Sequence, residues 1–325
     1  MAIRTIGVLT SGGDAPGMNA GIRAVVRTAL NNGIRVKGIN HGYQGLIENE
    51  FIDMDKYSVS NTLNRGGTIL YTARSKEFMT DEGRKKAYDN LLSQGIDCLI
   101  VLGGDGSFKG ALELSKLGDI NVIGIPATID LDIACTEYTI GFDTAINTAM
   151  DCIDKIRDTS TSHERCSIVE VMGRQAGYIA LHCGISSGAE EILIPERRED
   201  IDIKMLVTRI KIAIKKGKKH YLIVNAEGIG HSEELAKKIQ EATGVETRAT
   251  ILGHLQRGGI PSCKDRVYAS IMGVKAVESY IENKKNKVIV YKDGEFVDMD
   301  MVKGLSMKKT ISNAFLDVVT QIESK

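Results

Sequence analysis

The architecture of this chain can be read outward from one stretch, Asn121-Val122-Ile123-Gly124-Ile125-Pro126-Ala127-Thr128-Ile129-Asp130-Leu131-Asp132. Its first five residues suit a buried parallel strand, and Pro126 ends that strand because proline has no backbone N–H. Ligands of open α/β sheets bind where such strands end. In an extended segment residues i and i+2 share a side, so Asp130 and Asp132 are expected to face one pocket, one as a base and one holding a metal ion. The alternative is that both are loop acids that cap the next element.

Three other apolar runs lead into glycine-rich turns that precede a predicted helix. The runs and their turns are Ile6–Leu9 with Thr10–Asn19, Cys98–Leu102 with Gly103–Ser107, and Ser167–Val171 with Met172–Gly177. A strand, a glycine-rich turn and a helix N-terminus together bind phosphate on backbone N–H groups. In the second turn Asp105 can hold a metal ion and Ser107 can open the helix. The first turn matches neither a Walker A nor a GxGxxG sequence, so its spacing is weak evidence by itself, whereas the Gly103–Ser107 turn indicates a nucleotide-phosphate site.

The remaining pattern alternates strands and helices, which predicts a doubly wound, mostly parallel α/β architecture in two lobes. The further predicted strands are Arg35–Asn40, Ile192–Ile194, Tyr221–Ala226 and Arg248–Leu252. The predicted helices include Thr80–Gln94, Gly141–Asp158, Asp202–Lys216, Asp265–Glu282 and Lys308–Glu323.

Composition excludes several classes of partner. The chain has 325 residues, with 42 Lys and Arg against 42 Asp and Glu, and 5% aromatic residues. These values give neither the positive field nor the stacking surface of a nucleic-acid-binding module. No apolar run approaches the roughly 18 residues of a membrane span, and the segment around Arg4 is expected to be a strand rather than a signal peptide. We therefore expect a cytoplasmic protein with no nucleic-acid or membrane partner.

The six cysteines are scattered without a CxxC pair, so neither a metal cluster nor a disulfide framework is expected. Cys135 lies three residues after Asp132, but no base accompanies it in the sequence, so a reactive thiol is not favoured.

Several cationic groups have two interpretations. Arg23 and Arg27 share one helix face, and Lys218 and His220 follow a helix end; both sets favour a solvated surface, with an anion site as the alternative. His254 and Arg257 lie three apart in a glycine-rich loop, which suits an anionic ligand. Together, cations for phosphates, acids for Mg²⁺ and a base for a hydroxyl indicate phosphoryl transfer.

At this point the motifs resemble a known family, the bacterial ATP-dependent 6-phosphofructokinases, over essentially the whole chain. The matching stretches are Leu9–Asn19, Gly103–Ser107, Thr128–Asp130, Val171–Arg174 and Gly253–Gly259. The resemblance implies a glycolytic kinase that transfers the ATP γ-phosphoryl group to the 1-hydroxyl of fructose 6-phosphate. It implies an ATP-binding lobe of residues 1–141 and 256–306, and a fructose-6-phosphate-binding lobe of 142–255 and 307–325, with the active site in the cleft between them.

The resemblance also implies roles for individual residues. Asp130 looks like the base, and Thr128 and Arg174 resemble the groups that support the transferring phosphoryl. Mg²⁺ is expected at Asp105 and Asp132. ATP binding falls on Gly13, Arg74, Gly104, Asp105, Gly106, Ser107 and Gly110. The sugar phosphate falls on Thr128, Asp130, Arg165, Met172, Gly173, Arg174, Glu227, Arg248, His254 and Arg257.

Arg165 and Arg248 match arginines that reach the site of a neighbouring subunit, so the resemblance implies a homotetramer. It also implies an allosteric site for ADP or phosphoenolpyruvate between subunits. The residues at that site are Arg23, Arg27, Lys56, Arg157, Glu190, Lys216, Lys218 and His220.

The chain departs from the family pattern close to the expected active site. Leu131 replaces the usual Asn, which removes a side chain that could orient Asp130 or Asp132 through a hydrogen bond. Ala127 replaces Gly, and Ala134-Cys135 replaces Lys-Gly. At the effector site Lys56 and Asn61 stand where Arg and Asp are usual, and Lys keeps the charge of Arg without its bidentate geometry.

Two rival interpretations follow. The first is a pyrophosphate-dependent phosphofructokinase. The resemblance implies that this subfamily carries Asp at the position of Gly106 and Lys at that of Ala127, so Gly106 favours ATP. A catalytically impaired paralogue that binds sugar phosphate or nucleotide as a regulatory subunit is the second rival, and Leu131 is its support.

Overall fold

The computed structural model describes residues 4–322 of the chain. The strands are β1 Thr5–Thr10, β2 Arg35–Ile39, β3 Phe51–Met54, β4 Cys98–Gly103, β5 Asn121–Pro126, β6 Cys166–Val171, β7 Glu191–Leu193, β8 Tyr221–Ala226, β9 Thr247–Ile251, β10 Lys287–Lys292 and β11 Glu295–Asp300. The α-helices are α1 Met18–Asn31, α2 Gly42–Glu48, α3 Asp81–Ser93, α4 Asp105–Ser115, α5 Phe142–His163, α6 Tyr178–Ser187, α7 Ile203–Lys215, α8 Ser232–Thr243, α9 Cys263–Ile281, α10 Met301–Ser306 and α11 Asn313–Ile322. Short 3₁₀ turns cover Glu77–Met79, Pro195–Asp200 and Gly253–Arg257.

The chain folds into two compact units, which are described separately. Within the described residues the first unit contains 4–129, 133–144 and 257–309, and the second contains 130–132, 145–256 and 310–322. The lobes expected from the sequence change at 141/142, 255/256 and 306/307, whereas the compact units change at 129/130, 132/133, 144/145, 256/257 and 309/310. The assignment of ATP to one lobe and the sugar phosphate to the other stays a prediction.

The first unit is built on a seven-stranded sheet in the order β11-β10-β5-β4-β1-β2-β3. The five inner strands run parallel, and β3 and β11 are antiparallel edges. Every residue of β1, β4 and β5 is buried, as expected for strands covered on both faces. Gly103 pairs with Pro126, so β4 and β5 end side by side. Two of the loops singled out in the sequence therefore start from one edge of the sheet.

The second unit has a four-stranded, fully parallel sheet in the order β7-β8-β6-β9. Val171 pairs with Ala226, so the turns after β6 and β8 leave the sheet together. Buried apolar side chains of α7 and α8, among them Leu206, Ile210 and Ile239, pack with β6 and β8 to form the core. The α/β fold class with mostly parallel sheets is confirmed.

The structure adds elements that the sequence analysis did not predict, namely α8, α10 and the β10–β11 hairpin. The predicted helix Lys308–Glu323 is wrong at its start, because α11 begins at Asn313. Its predicted last residue, Glu323, lies outside the described residues. The Lys309 side chain instead donates hydrogen bonds to the carbonyls of Ile133 at 3.2 Å and Thr136 at 2.9 Å. These bonds hold the segment before α11 in the first unit.

Two features of composition have structural counterparts in the described range. Among residues 4–322, no helix is both long and apolar enough to cross a membrane. All six cysteines carry free thiols, and four of them, Cys98, Cys135, Cys166 and Cys183, are buried.

Candidate active site

The backbone after β5 does not continue in the extended form that the sequence analysis assumed. Residues 129 and 130 form a turn, and Leu131 has a left-handed φ of 54°. Asp130 is fully buried, whereas Asp132 is half-buried. The expectation of two carboxylates presented alike by an extended segment is therefore wrong, because alternation of sides requires extended backbone.

The Asp130 carboxylate forms an ion pair with Arg174. The Arg174 Nε atom lies 3.2 Å from Asp130 Oδ2, and the exposed fractions of the two side chains are 60% and 0%. A buried carboxylate is costly unless a cation or hydrogen bonds compensate it, and the guanidinium provides that compensation. Arg174 itself has a left-handed φ of 53° directly after Gly173, whose φ is 136°. The turn after β6 thus aims an otherwise solvent-exposed arginine at a buried acid.

Glu227 at the end of β8 fixes the position of that turn. Its Oε1 accepts hydrogen bonds from the backbone N–H of Gly173 at 3.2 Å and of Arg174 at 2.6 Å. Gly228 lies so close to this turn that an added Cβ would overlap the Arg174 carbonyl oxygen. The structure therefore gives Glu227 an anchoring contact, and its expected role as a sugar ligand stays a prediction.

A buried glutamine of the same glycine-rich loop as His254 and Arg257 supports this region. Gln256 is fully buried, its Oε1 accepts the Met172 N–H at 3.3 Å, and its Nε2 donates to the Gly253 carbonyl at 3.3 Å. The 3₁₀ turn Gly253–Arg257 is thereby tied to the end of β6, and His254 is exposed on it. The sequence groups this glutamine with His254 and Arg257 in one glycine-rich loop, but it does not predict that the glutamine is buried or that it contacts Met172.

In the first unit, the turns after β1 and β4 contact each other. Ser107 Oγ donates to Ser11 Oγ at 2.9 Å, and an added Cβ on Gly103 would lie 2.6 Å from the Ser11 carbonyl oxygen. Arg257 reaches the β1–α1 turn, where its Nη1 donates to the Asp14 carbonyl at 3.0 Å. A Cβ on Gly13 would lie 2.5 Å from the same Nη1, so a side chain at residue 13 would displace the end of the Arg257 side chain.

A cavity of about 390 Å³ opens beside these two turns. The residues that line it include Ser11, Gly12, Tyr43, Arg74, Phe78, Gly106, Ser107 and Gly110. The rings of Tyr43 and Phe78 stack with centroids 4.1 Å apart, and an added Cβ on Gly110 would lie 3.0 Å from Phe78. Burial raises the pKa of the Tyr43 phenol, which stays protonated and donates to the Ser107 carbonyl.

The turn after β4, whose Gly106 lines the cavity, has open backbone where a phosphate could approach. An added Cβ on Gly104 or Gly106 would meet no atom within 4 Å. Asp105, which lies between these two glycines in the first turn of α4, is half-buried. The structure thus brings together Arg74, Gly106, Ser107 and Gly110, four of the seven predicted ATP-binding residues.

For a metal ion, the described residues contain no group of three His, Cys, Asp or Glu side chains arranged to hold one. Magnesium in kinases is commonly held by one or two carboxylates together with substrate phosphates, so a preformed protein cage is not required. Asp105 and Asp132 are both partly exposed oxygen donors, and they fit that description.

The two arginines expected to reach a neighbouring subunit are held by one glutamate that was not predicted. Glu246 Oε2 accepts from Arg165 Nε at 2.7 Å, and its Oε1 accepts from Arg248 Nε at 2.8 Å. The hydrogen bond from Arg165, followed by that from Arg248, lowers the pKa of the Glu246 carboxyl. The two guanidinium groups are consequently fixed at the start of β9.

The expected effector residues occupy several environments. Lys218 Nζ lies 2.5 Å from the buried Glu190 Oε1, and Glu190 Oε2 also accepts the Leu222 N–H at 2.6 Å. Burial and the neighbouring charge of Arg27 lower the pKa of the half-buried Arg23. The others are Lys56 and Lys216, which are exposed, His220, which is half-buried, and Arg157, which donates to the Ser187 carbonyl.

A strand-end carboxylate paired with an arginine, together with glycine-lined turns at a cavity, is typical of an α/β phosphotransferase. The family model described as Phosphofructokinase matches residues 5–280. The chain is 57% identical over 318 residues to an ATP-dependent 6-phosphofructokinase of Clostridium botulinum (strain Loch Maree / Type A3), covering 98% of this chain and 99% of that relative. It is 55% identical over 320 residues to an ATP-dependent 6-phosphofructokinase of Clostridium acetobutylicum, with the same coverage.

Solved structures agree with this result. A phosphofructokinase from Saccharomyces cerevisiae superposes with a TM-score of 0.85 at 35% identity, covering 98% of this chain and 48% of the yeast chain. A pyrophosphate-dependent phosphofructokinase from Marinobacter aquaeolei gives 0.86 at 22% identity, covering 99% of this chain and 92% of that one, and this likeness concerns the fold alone. The chain belongs to the phosphofructokinase family.

Proposed function

We propose that the chain is an ATP-dependent 6-phosphofructokinase. It transfers the γ-phosphoryl group of ATP to the 1-hydroxyl of D-fructose 6-phosphate and gives fructose 1,6-bisphosphate and ADP, the committed step of glycolysis. Relatives that carry this name are similar over nearly their full length. The structural observation that carries the proposal is the buried Asp130 carboxylate, compensated by Arg174 at 3.2 Å.

In the proposed reaction Asp130 takes the proton of the sugar 1-hydroxyl as that oxygen attacks the γ-phosphorus. The bond from phosphorus to the bridging oxygen of ADP breaks, and ADP leaves with the electron pair. Burial of Asp130 keeps water from the base, which strengthens its interaction with a bound hydroxyl. Arg174 compensates negative charge on the transferring group, a contribution typical of cations in phosphoryl transfer. Thr128 supports the same group.

The nucleotide is proposed to bind in the cavity of the first unit. Its triphosphate approaches the open backbone at Gly104 and Gly106, and its base lies toward the stacked rings of Tyr43 and Phe78. Asp105 and Asp132 would hold Mg²⁺, which neutralises phosphate charge when it is bound. Gly106 favours ATP over pyrophosphate because a carboxylate at this position would repel the nucleotide phosphates.

The sugar phosphate is proposed to contact Met172, Gly173, Glu227 and His254, with Arg257 as a further cation. Arg165 and Arg248 act on the sugar site of a neighbouring subunit, which requires the proposed homotetramer. Effector binding by ADP or phosphoenolpyruvate at the Lys218 and Glu190 cluster belongs to the same proposal, as does a cytoplasmic location.

One observation favours a second candidate, a catalytically impaired paralogue that binds ligands without efficient turnover. Leu131 directly follows the proposed base, and its left-handed φ of 54° is unfavourable for a leucine. Strain at this position could misplace the Asp130 carboxylate.

The two candidates separate in a donor-exchange assay. Fructose 6-phosphate and Mg²⁺ are incubated with either ATP or pyrophosphate, and ³¹P NMR identifies a second phosphomonoester on the sugar. We expect this product with ATP only. If the product forms with pyrophosphate but not with ATP, the proposal that ATP is the phosphoryl donor is contradicted. Binding of both substrates by calorimetry without product from either donor supports the impaired paralogue.

A further inference from the structure

A buried carboxylate outside the proposed substrate contacts lies in the first turn of α9. Asp265 is fully buried, and Ser262, the N-cap residue of α9, accepts its backbone N–H at 3.2 Å. Asp265 Oδ1 accepts from the Tyr138 hydroxyl at 2.6 Å and from the Gly141 N–H at 2.7 Å. Its Oδ2 accepts from the Thr144 N–H at 2.8 Å and from the Thr144 hydroxyl at 2.5 Å. Both oxygens of one acid are therefore committed to the segment 138–144.

The same segment contacts the end of β5 through its own backbone and side chains. The Ile140 N–H donates to the Pro126 carbonyl at 3.0 Å, and Ile140 forms a parallel bridge with Ala127. The Thr139 hydroxyl donates to the Thr128 carbonyl at 2.6 Å. The backbone of Thr128, which is proposed to support the transferring phosphoryl, is thus hydrogen-bonded to the segment 138–144, and Asp265 holds that segment in place.

The turn after β1 rests on the same assembly. A Cβ added to Gly17 would lie 2.8 Å from Ile140 Cγ2 and 3.3 Å from Asp265 Cβ. Gly17 has a φ of 107°, which also favours glycine. Asp265 and segment 138–144 therefore support both the first glycine-rich turn and the strand end that carries Thr128.

Four groups donate hydrogen bonds to the Asp265 carboxylate, and they require that both of its oxygens act as acceptors. The N–H groups of Gly141 and Thr144 can only donate, and each points at a different oxygen of the acid. An amide in place of the carboxylate would turn an NH₂ group toward one of these N–H groups. Burial raises the pKa of the Asp265 carboxyl, while the hydrogen bonds from Thr144 and Tyr138 oppose that rise.

We propose that Asp265 is a positioning residue for phosphoryl transfer: by holding segment 138–144 it sets the place of Thr128 and of the β1–α1 turn. The inference rests on the proposed kinase function. Because misplacement of reacting groups by about 1 Å can cost up to about 100-fold in rate, the effect of losing Asp265 is expected on kcat more than on KM.

The test compares Asp265→Asn with Val36→Ala, a cavity variant in β2 that is buried in the same unit. We expect Asp265→Asn to lower kcat about tenfold or more with KM for fructose 6-phosphate within about threefold. Val36→Ala is expected to lower Tm and leave kcat unchanged. Equal kcat in Asp265→Asn and the wild type overturns the inference, as does an equal loss of kcat in both variants at matched Tm.

A second pair of variants serves if Asp265→Asn does not fold. Thr144→Val removes one hydroxyl donor to Asp265, whereas Thr144→Ser retains it. We expect kcat to fall in Thr144→Val and to recover in Thr144→Ser, and an unchanged kcat in Thr144→Val overturns the inference.

Hydrogen exchange separates this inference from the proposed function. In any folded variant that loses the Asp265 contacts, the amides of residues 138–144 are expected to exchange faster, while those of β2 stay protected. Unchanged exchange in this segment contradicts the positioning role whatever the activity. A wild-type chain that is inactive with both donors contradicts the kinase function, and with it the effect on phosphoryl transfer, even if exchange behaves as expected.

Discussion

Arg174 and Asp130 form an ion pair in which the arginine is largely exposed and the carboxylate is fully buried, with 3.2 Å between Nε and Oδ2. The two residues are 44 positions apart in sequence and meet because the turn after β6 is held by the Glu227 carboxylate. Because the guanidinium is exposed, a substrate phosphate can reach it while it still compensates the buried acid. This asymmetry is what a group that stabilises a transferring phosphoryl requires.

Replacement of Arg174 tests this relationship. Arg174→Ala is expected to lower kcat by about 100-fold, the effect of removing one preorganised charge-stabilising donor. Arg174→Lys keeps the charge but loses the planar guanidinium, so an intermediate rate is expected. Steady-state kinetics with thermal unfolding as a control checks both variants. Wild-type turnover in Arg174→Ala at unchanged Tm would show that the pair is only structural.

Donor choice is expected to depend on Gly106. A Cβ at this position meets nothing within 4 Å, and an acid in the first turn of α4 suits the helix dipole, so Gly106→Asp should fold with unchanged Tm. The new carboxylate faces the cavity and should raise KM for ATP by about tenfold or more, or about 1.4 kcal/mol. Ser115→Asp adds the same charge at the other end of α4 and should leave KM unchanged. A wild-type KM in Gly106→Asp would mean that the triphosphate lies elsewhere.

Because of the backbone conformation at Leu131, we expect Asn to be tolerated better than Ala at this position. Leu131 is buried at φ 54°, a conformation that asparagine adopts more easily than alanine or leucine. Leu131→Asn should therefore be more stable than Leu131→Ala by about 1 kcal/mol, although both lose apolar burial. At Leu206, which is buried within helix α7, the order should reverse, because alanine is the better helix former. Denaturant unfolding of the four variants measures both orders, and the same order at both sites would rule out backbone strain at residue 131.

Thiol reactivity should single out one cysteine. Burial, with the charge of Asp105 as a lesser cause, raises the pKa of the Cys135 thiol to about 11, and burial raises those of Cys166 and Cys183 to about 12. At about pH 8 these groups are protonated, and only a thiolate attacks a disulfide reagent. Cys263 is exposed, so native protein should show one fast phase that Cys263→Ser removes and Cys183→Ser leaves in place. A fast phase that survives in Cys263→Ser and disappears in Cys135→Ser would instead identify Cys135 as reactive.

The strands that position the site could be predicted because parallel strands buried on both faces are continuous apolar runs, as β4 and β8 are. The β10–β11 hairpin was missed although its signal is present: Asp293 and Gly294, at φ 51° and 83°, form the Asp-Gly turn that favours hairpins. The charged, partly exposed sequence of β11 obscured it. The cap Ser262 three residues before Asp265 likewise marks the true start of α9.

The site residues could be predicted at strand ends but not in their pairing. Sequence spacing cannot predict that Arg174 contacts Asp130 or that Arg165 contacts Glu246, because each contact joins residues far apart in the chain that only the tertiary fold brings together. The assumption of extended backbone at Asp130 failed for a local reason, the left-handed turn at Leu131. The predicted roles of these residues in binding and catalysis stay predictions until kinetics tests them.

The role of Asp130 as the base is tested most directly by the rate at which fructose 1,6-bisphosphate forms from ATP. The rate is compared among the wild type, Asp130→Asn and Asp154→Asn, and Asp154 is an exposed carboxylate of α5. We expect a fall in kcat of about 100-fold or more for Asp130→Asn, the contribution of a general base, with KM for ATP nearly unchanged. Asp154→Asn should match the wild type. Equal turnover in all three proteins would contradict the assignment of Asp130 as the base that accepts the sugar proton.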